Sequence, residues 1–273
     1  DSLFSINKKD RLDTLKKLKR EKYDLFIQIP QNLSLYKSIR NIFLVRFILN
    51  IRSAFGWDHG RIKSFMRQQK EYMKIPTETM RFIKTLKKAG LEGQIDYSLP
   101  DKKPSSQYVL EQAKNERSIL FMIGGKLQPK KWPLDNWVML ANMLSNKKNR
   151  IFITGGDAEK EDAEYIVSKT KNTTNICGQL SIPELYYLCK QSSLAISLDT
   201  GAMHLCDASG TQMIALISTR DLTNKWHPNN KKSIVLEEVL PCSFCLKNIC
   251  ENNLCMKNIS AQTVYENAVK LLV

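Results

Sequence analysis

The chain has 273 residues, of which 42% are hydrophobic and 25% are charged. This composition is typical of a globular protein with a substantial core, and it excludes a collagen, a coiled coil, a disulfide-rich miniprotein and general disorder. No uncharged apolar run approaches the ~20 residues of a membrane-spanning helix, so the sequence also excludes an integral membrane protein.

The charge is strongly positive and unevenly distributed. The net charge is +15, and residues 1–115 hold 24 Lys and Arg against 12 Asp and Glu, whereas residues 116–273 hold 18 against 15. A basic field of this kind favours an anionic partner, such as nucleic acid, anionic lipid or a phosphorylated acceptor. A solvated, lysine-rich surface is the simpler alternative.

The first 115 residues predict helices around one buried strand. Leucines spaced along one side predict a helix over residues 8–22, and an apolar run predicts a strand over residues 23–29. Residues 32–50 are apolar, and the basic residues Lys37, Arg40, Arg46 and Arg52 do not gather on one face of a helical wheel. A helix packed on the sheet is therefore favoured over one that lies on a membrane. A further helix is predicted over 77–89, and a linker over 98–107.

The remaining residues alternate between strand and helix. Strands are predicted over 118–123, 150–154, 194–198 and 213–217, and helices over 133–144, 157–169, 183–191, 202–209 and 260–272. This alternation predicts an α/β fold with a parallel sheet that is covered by helices on both faces. We expect two domains, an N-terminal domain over residues 1–115 and a C-terminal domain over residues 116–273.

Three strand ends carry unusual residues, and ligands bind beyond such ends in open parallel sheets. Gly124 and Gly125 follow the first strand, and Lys126, Lys130 and Lys131 then provide cations for a phosphate. The Walker spacing is missing, so an ordinary turn with surface lysines is the alternative. The second strand end, Gly155-Gly156, precedes several acids, which suit either a ribose hydroxyl or a plain helix N-terminus.

The third strand end reads Asp199-Thr200-Gly201-Ala202-Met203-His204. The free N–H groups of the helix that begins here would suit a pyrophosphate, and His204 is close enough to reach the same point. A capping role for Asp199 or Thr200 and a packed core histidine are the alternatives. With Asp, Thr and Gly together at the junction, the binding function is favoured.

Seven cysteines include a cluster near the end of the chain. Cys242, Cys245, Cys250 and Cys255 lie within 14 residues, a spacing that a structural zinc could use. Only the first pair has the usual two-residue gap, so free or loosely paired thiols are an equal alternative. The odd total indicates a reducing compartment.

Together these segments resemble glycosyltransferase family 9, the ADP-heptose:lipopolysaccharide heptosyltransferases. The resemblance rests on Lys130-Lys131-Trp132-Pro133, Gly155-Gly156 with its acids, Gly178-Gln179-Leu180-Ser181, and Asp199-Thr200-Gly201 with His204. It covers residues 115–273 well and residues 1–115 more loosely. The resemblance implies a GT-B fold of two Rossmann-like domains, with the acceptor on the N-terminal side and the nucleotide sugar on the C-terminal side.

The resemblance also implies residue roles. Lys130 and Asp199 would be the catalytic residues, and Lys130 would contact the donor phosphate. Thr200, Gly201 and His204 would hold the pyrophosphate and sugar together with Asp199, and Gly125 and Lys126 would line the same site. Leu180 would contact the adenine, and Glu159 or Glu161 the ribose. The expected reaction is transfer of a sugar, with inversion, from a donor such as ADP-heptose to an anionic glycolipid acceptor of the lipopolysaccharide-core type. It would need no cofactor, and it would occur in the cytoplasm, with peripheral contact to the inner membrane face.

Three departures from the family pattern leave alternatives open. The sequence begins with Asp1 rather than Met, and residues 1–30 do not match the family's opening strand and Gly-rich turn with its general-base Asp. This suggests a truncated N-terminal domain or a non-catalytic protein that binds nucleotide sugars. Gly125 and Lys126 stand where the family often has small hydroxyl residues, and Asp207 where it has a small apolar one. Nucleic acid is not expected as a partner, because aromatic residues are not interleaved with the basic ones.

Overall fold

The computed structural model describes residues 11–28, 35–56, 76–93, 98–105, 117–145 and 149–272. The chain divides into two compact units, one of residues 1–71 and 78–94 and the other of residues 72–77 and 95–273. The domain division at residues 115/116 stays a prediction. None of the described helices is long and apolar enough to cross a membrane.

The first unit contains two short parallel strands with helices. Its described elements are α1 (Arg11–Arg20), β1 (Leu25–Ile27), α2 (Leu35–Phe43), β2 (Ser53–Phe55) and α3 (Glu78–Lys88). A π-helical turn, Leu44–Ile48, continues α2, and β1 pairs with β2 from Leu25↔Ser53 to Ile27↔Phe55. The predicted helices and β1 are confirmed, while β2 and the π-helical turn were not predicted.

The second unit contains one parallel sheet of six described strands. These are β3 (Arg117–Met122), β4 (Asn149–Thr154), β5 (Thr173–Asn175), β6 (Leu194–Leu198), β7 (Met213–Ile217) and β8 (Ser233–Glu237). The spatial order is β5-β4-β3-β6-β7-β8. The four central strands are those that the sequence predicts; β5 and β8 were missed. Both are edge strands whose residues are only partly buried, so they lack the fully buried pattern of the central strands.

Helices cover both faces of this sheet. They are α4 (Leu134–Leu144), α5 (Lys160–Ser168), α6 (Ile182–Gln191), α7 (Gly201–Ala208), α8 (Leu254–Lys257) and α9 (Ala261–Leu272). Alternate residues of β3 enter different cores: Ile119 and Phe121 pack with α4, α5 and α9, whereas Leu120 and Met122 pack with α6 and α7. The alternation of strand and helix therefore becomes a doubly wound α/β fold, as predicted.

The predicted linker has no helix or strand over its described residues, 98–105. It nevertheless lies along α6, because Lys102 N donates to the Pro183 carbonyl at 3.2 Å and Lys190 Nζ lies 2.8 Å from a carboxylate oxygen of Asp101. This segment is thus fixed to the second unit.

Candidate functional site

The centre of the six-stranded sheet is a topological switch point. The chain moves from β3 outwards to β4 and β5, then returns to β6 on the other side of β3 and continues to β7 and β8. The loops that follow β3 and β6 therefore leave in opposite directions and open a crevice at the carboxyl ends of these two strands. The sequence places Gly124-Gly125 at the first end and Asp199-Thr200 at the second, so both predicted strand ends meet here.

Lys130 and Asp199 form an ion pair across this crevice. A 3-10 turn, Gln128–Lys130, brings Lys130 Nζ to 2.5 Å from a carboxylate oxygen of Asp199. The two side chains retain only 15% and 5% of their exposure. Asp199 leaves other N–H groups of the ammonium available, because an ammonium has three. A partly shielded cation held at a strand end can bind phosphate.

Trp132 anchors the turn that presents Lys130. Its indole N–H donates to the Ile259 carbonyl at 2.8 Å, and its ring packs edge-on against Trp137 with centroids 4.9 Å apart. Pro133 then precedes the first residue of α4. The Lys130-Lys131-Trp132-Pro133 sequence thus combines one cation at the crevice with an aromatic anchor and a helix start, which explains why these residue types occur together.

The junction of β6 and α7 is open to a ligand. Thr200 precedes α7, and its hydroxyl is buried without a hydrogen-bond partner among the described residues. A Cβ atom placed on Gly201 would meet nothing within 4 Å. Packing therefore does not require glycine here, and the space beside the first N–H groups of the helix is free for an anionic group to approach.

His204 lies one turn into α7 and is neutral at neutral pH. Burial lowers its pKa below the ordinary 6.5, and Lys130 acts in the same direction, whereas Asp199 and Asp207 oppose the shift. Its ring lies edge-on to Trp226, with centroids 6.0 Å apart. A neutral imidazole beside the ion pair can donate or accept a hydrogen bond without adding charge.

The second strand end positions Glu159. A carboxylate oxygen of Glu159 accepts a hydrogen bond from Gly156 N at 2.9 Å and would lie 3.8 Å from a Cβ atom on Gly124. A Cβ atom on Gly155 would come within 2.8 Å of Glu159 Cβ, so glycine is required for this approach. Glu161 is exposed in the first turn of α5. Of the two acids that the sequence left open, the structure thus brings Glu159 between the ends of β3 and β4.

The remaining predicted donor residues occupy different surroundings. Gly125 is buried beside Lys131, which pairs with Asp162 at 3.2 Å, while Lys126 is exposed. Leu180 is half-buried against the core beneath α6. Its loop is fixed on one side by Gly178, whose φ of +70° favours glycine.

The other side of the Leu180 loop is fixed by Glu184. Its carboxylate accepts hydrogen bonds from the Ser181 hydroxyl at 2.7 Å and from the Ser181 N–H at 2.9 Å. These two bonds lower the pKa of Glu184 to about 2. The loop that carries Leu180 therefore ends in an ionised capping contact at the start of α6.

The predicted zinc site is not formed. Among the described residues, which include all four clustered cysteines, no three His, Cys, Asp or Glu side chains gather as a metal-ligand group. Cys242 and Cys245 are exposed free thiols. Cys250 Sγ accepts a hydrogen bond from Asn253 N, and Cys255 Sγ lies 3.4 Å from the Ser218 hydroxyl. The thiols of Cys250 and Cys255 therefore form local hydrogen bonds and do not share a metal-ligand group.

Sequence reasoning missed the loop that follows β7. Asp207 accepts hydrogen bonds from the backbone N–H groups of Asn229 and Asn230, both at 2.8 Å, which fixes the end of this loop to α7. The indole N–H of Trp226 donates to Asp221 at 3.3 Å. Asp207 therefore has a structural role. The adjacent Trp226 and His227 after a predicted strand were the signal that was available.

Two more threonine hydroxyls belong to the same edge. Thr154 ends β4 and Thr223 lies in the loop after β7, and each hydroxyl is buried without a partner among the described residues, as is that of Thr200. An unpaired buried hydroxyl costs about 1–3 kcal/mol, which a bound polar ligand would offset. Spacing along the sequence does not reveal that these hydroxyls are buried and unpaired.

Solved structures support the fold. The chain aligns with E. coli ADP-heptose lipopolysaccharide heptosyltransferase II at 17% identity and a TM-score of 0.64, over 97% of this chain and 81% of that one. A family 9 glycosyltransferase from Veillonella parvula aligns at 19% identity and a TM-score of 0.69, over 97% and 80%. E. coli heptosyltransferase WaaC with ADP aligns at 18% identity and a TM-score of 0.65, over 97% of this chain and 78% of that one. The GT-B fold is thereby confirmed.

Sequence comparison assigns the family. No curated protein matches the chain. The family described as glycosyltransferase family 9 (heptosyltransferase) matches residues 11–256, which is most of the chain. The strand ends that meet at the switch point, and the Lys130–Asp199 pair that joins them, lie within this match. The chain belongs to glycosyltransferase family 9, the heptosyltransferase family.

Proposed function

We propose that this protein transfers a heptose from ADP-heptose, with inversion, to an anionic glycolipid acceptor of the lipopolysaccharide-core type. Membership of the heptosyltransferase family supports sugar transfer. The structures of E. coli heptosyltransferase WaaC with ADP and with ADP-2-deoxy-2-fluoro heptose support the choice of donor. The observation that carries the proposal is the shielded Lys130–Asp199 pair at the switch point, beside the open start of α7.

In this proposal Lys130 stabilises the departing diphosphate. Negative charge develops on the diphosphate oxygens as the bond to the anomeric carbon breaks, and a fixed ammonium in a shielded site stabilises that charge. Asp199 holds Lys130 in place before the donor binds and accepts hydrogen bonds from sugar hydroxyls. The Thr200 hydroxyl and the first N–H groups of α7 donate to the diphosphate, and the absence of a side chain at Gly201 gives it room.

The adenosine would lie beside the β4 end and the Leu180 loop. Glu159 accepts hydrogen bonds from the ribose hydroxyls, since its carboxylate is already held between the glycines of two strand ends. Leu180 contacts the adenine, and neutral His204 forms a hydrogen bond with the donor from the α7 side. Gly125 and Lys126 line the approach to the phosphates. Glu161 has no assigned role in this arrangement, because it is exposed on α5.

The acceptor would meet the basic N-terminal region. Residues 1–115 carry an excess of twelve positive charges, and a phosphorylated lipid core is strongly negative. The proposal therefore assigns residues 1–115 to the acceptor side and residues 116–273 to the donor side. It places the reaction in the cytoplasm at the inner membrane face, where a lipid-linked acceptor is accessible.

Calorimetric titration of the full chain with ADP, and with UDP and GDP as controls, tests the donor site. We expect selective ADP binding that is weakened about tenfold to a hundredfold by Lys130→Ala and by His204→Ala, as for lost hydrogen bonds to a charged group. Lys257→Ala, which alters an exposed lysine on α8, should bind ADP as the parent does. Unchanged dissociation constants in both site variants would remove the site assignment.

A turnover assay separates this proposal from its alternative. A non-catalytic member of the family would bind ADP-heptose selectively and yet release no ADP in the presence of a glycolipid acceptor. Release of ADP that depends on both the acceptor and Lys130 supports the transferase. Selective binding without turnover indicates the binding protein instead.

A further inference from the structure

One side of α2 and the π-helical turn presents an exposed row of large apolar residues. This row, called the apolar ridge below, consists of Tyr36, Ile39, Phe43 and Phe47, which are 76%, 59%, 55% and 73% exposed. Their spacing of three, four and four residues places them on one side of a helix. The Phe43 and Phe47 rings contact each other, with centroids 5.1 Å apart. The ridge therefore follows one side of the helix, and its last two rings are in contact.

The opposite side of the same helix already supplies the core of the first unit. Ser38 and Val45 are fully buried, and Leu49 is nearly so. Val45 and Leu49 pack with Ile51, and Phe26 of β1 lies against this cluster. A helix that only packed on its sheet would have one apolar side. This helix has two, and the core of the first unit accounts for one of them.

Positive charge borders the ridge. The only charged residues between positions 25 and 56 are Lys37, Arg40, Arg46 and Arg52, and all four are basic. Lys37 and Arg40 are exposed on the turn that carries Tyr36 and Ile39. Arg46, which precedes Phe47 in the sequence, donates a hydrogen bond to the Arg52 carbonyl, and the Arg46 and Arg52 residues are both exposed. An apolar stripe with cations on its borders complements the surface of an anionic membrane.

We propose that the apolar ridge inserts into the interface of an anionic lipid bilayer and docks the chain there. The sequence favoured a helix that is simply packed on the sheet, and the exposed ridge changes that interpretation. A second copy of the chain is a poorer occupant, because a self-paired ridge would bring four like charges against four others. The helix is nine residues long, so it lies in the interface rather than crossing it.

This inference deepens the proposed function and rests on it for its purpose, because a glycolipid acceptor lies in a membrane. Docking through the ridge would bring the basic first unit to the lipid headgroups without any contribution from the donor site. The two can therefore fail separately, and vesicles that contain no acceptor sugar test the ridge alone.

Co-sedimentation of the full chain with vesicles tests the ridge. We expect binding to vesicles of phosphatidylcholine mixed with phosphatidylglycerol, and much weaker binding to phosphatidylcholine alone. Phe43→Ser with Phe47→Ser should lower the partition coefficient about tenfold or more, since two large apolar side chains no longer leave water. Lys37→Gln with Arg40→Gln should lower it about fivefold for each charge removed. The conservative Phe47→Leu should retain binding.

Met139→Glu is the matched control for Phe43→Glu, because it makes the same change of charge at an exposed apolar position on α4. Only the Phe43→Glu variant should lose its co-sedimentation with the anionic vesicles. An unchanged circular dichroism spectrum and an unchanged thermal unfolding midpoint establish that each variant folds. Vesicle binding that survives both phenylalanine changes overturns the proposal. The proposal is also overturned if the parent chain does not bind anionic vesicles, or if it forms dimers through the ridge instead.

Discussion

Lys130 Nζ and a carboxylate oxygen of Asp199 lie 2.5 Å apart, although 69 residues separate them in the sequence. The pair joins the loops that leave β3 and β6 at the point where the chain reverses its direction across the sheet. A shielded ion pair is a weak source of net stability, because desolvation offsets most of its attraction. Its place at the switch point is better explained by the need to hold a cation ready for an anionic ligand.

The first prediction concerns the free energy of unfolding when only one member of the Lys130–Asp199 pair is replaced. Asp199→Asn leaves the Lys130 ammonium shielded without its counter-ion, and we expect a loss of about 3 kcal/mol in the free energy of unfolding. Lys130→Met should cost a similar amount by leaving the Asp199 carboxylate unpaired. The double variant should cost less than the sum of the two, as measured by urea denaturation. Additive losses would show that the two side chains are not coupled.

The second prediction contrasts two glycines at the crevice. Gly155→Ala should destabilise the protein by about 1–3 kcal/mol, because its Cβ atom overlaps Glu159 Cβ and crowds Cys177. It should also weaken ADP binding by displacing the Glu159 carboxylate. Gly201→Ala should leave stability unchanged or raise it by about 0.5–1 kcal/mol, since the space there is open and alanine restricts the unfolded chain.

For Gly201→Ala, ADP affinity and stability should respond differently. An added methyl group occupies the space that the diphosphate needs at the start of α7, so Gly201→Ala should lose ADP affinity while its melting temperature holds. Thermal unfolding and calorimetry on the same preparation measure both quantities. If Gly201→Ala bound ADP as tightly as the parent, the open space would not be the phosphate site.

The third prediction is a pH dependence that arises from His204. Burial lowers its pKa from 6.5, so below that pH the unfolded chain takes up a proton that the folded chain does not. Stability should therefore be fully present above about pH 6.5 and should decrease as the pH falls through that range. His204→Gln should flatten this part of the profile, which thermal unfolding from pH 7.5 to 5 would measure. An identical slope in the variant would contradict the assignment.

The fourth prediction concerns the capping contact at α6. The pKa of Glu184 falls from 4.5 to about 2 on folding, so its contribution to stability is complete above pH 4.5 and disappears as the pH falls towards 2. Ser181→Ala should cost about 1 kcal/mol at pH 7 through the lost cap. Glu184→Gln should reduce the acid sensitivity of unfolding between pH 4.5 and 2. Because Ser181 and Glu184 end the Leu180 loop, either change should also weaken ADP binding, whereas Glu266→Gln on α9 should not.

Much of the second unit was predictable because its signals are local. The four central strands of its sheet are short apolar runs, and two of the helices, α4 and α6, begin at a proline or at a capping residue. The edge strands β5 and β8 were not predicted, because an edge strand pairs on one side only and its residues here are only partly buried. In the first unit, β2 is three residues long and its pairing with β1 depends on residues 28 positions away. Local patterns do not carry that information.

The sequence by itself determined the α/β class, the family and the residues that face the strand ends, because periodicity, glycine pairs and the Asp199-Thr200-Gly201 junction are all encoded over a few neighbouring positions. Only the tertiary structure decided which of those residues meet. It paired Lys130 with Asp199, brought Glu159 rather than Glu161 between two strand ends, kept the four clustered cysteines from forming a metal-ligand group, and exposed the ridge of α2. Each of these outcomes depends on distances between parts of the chain that are brought together by packing, and spacing along the sequence leaves such distances undetermined.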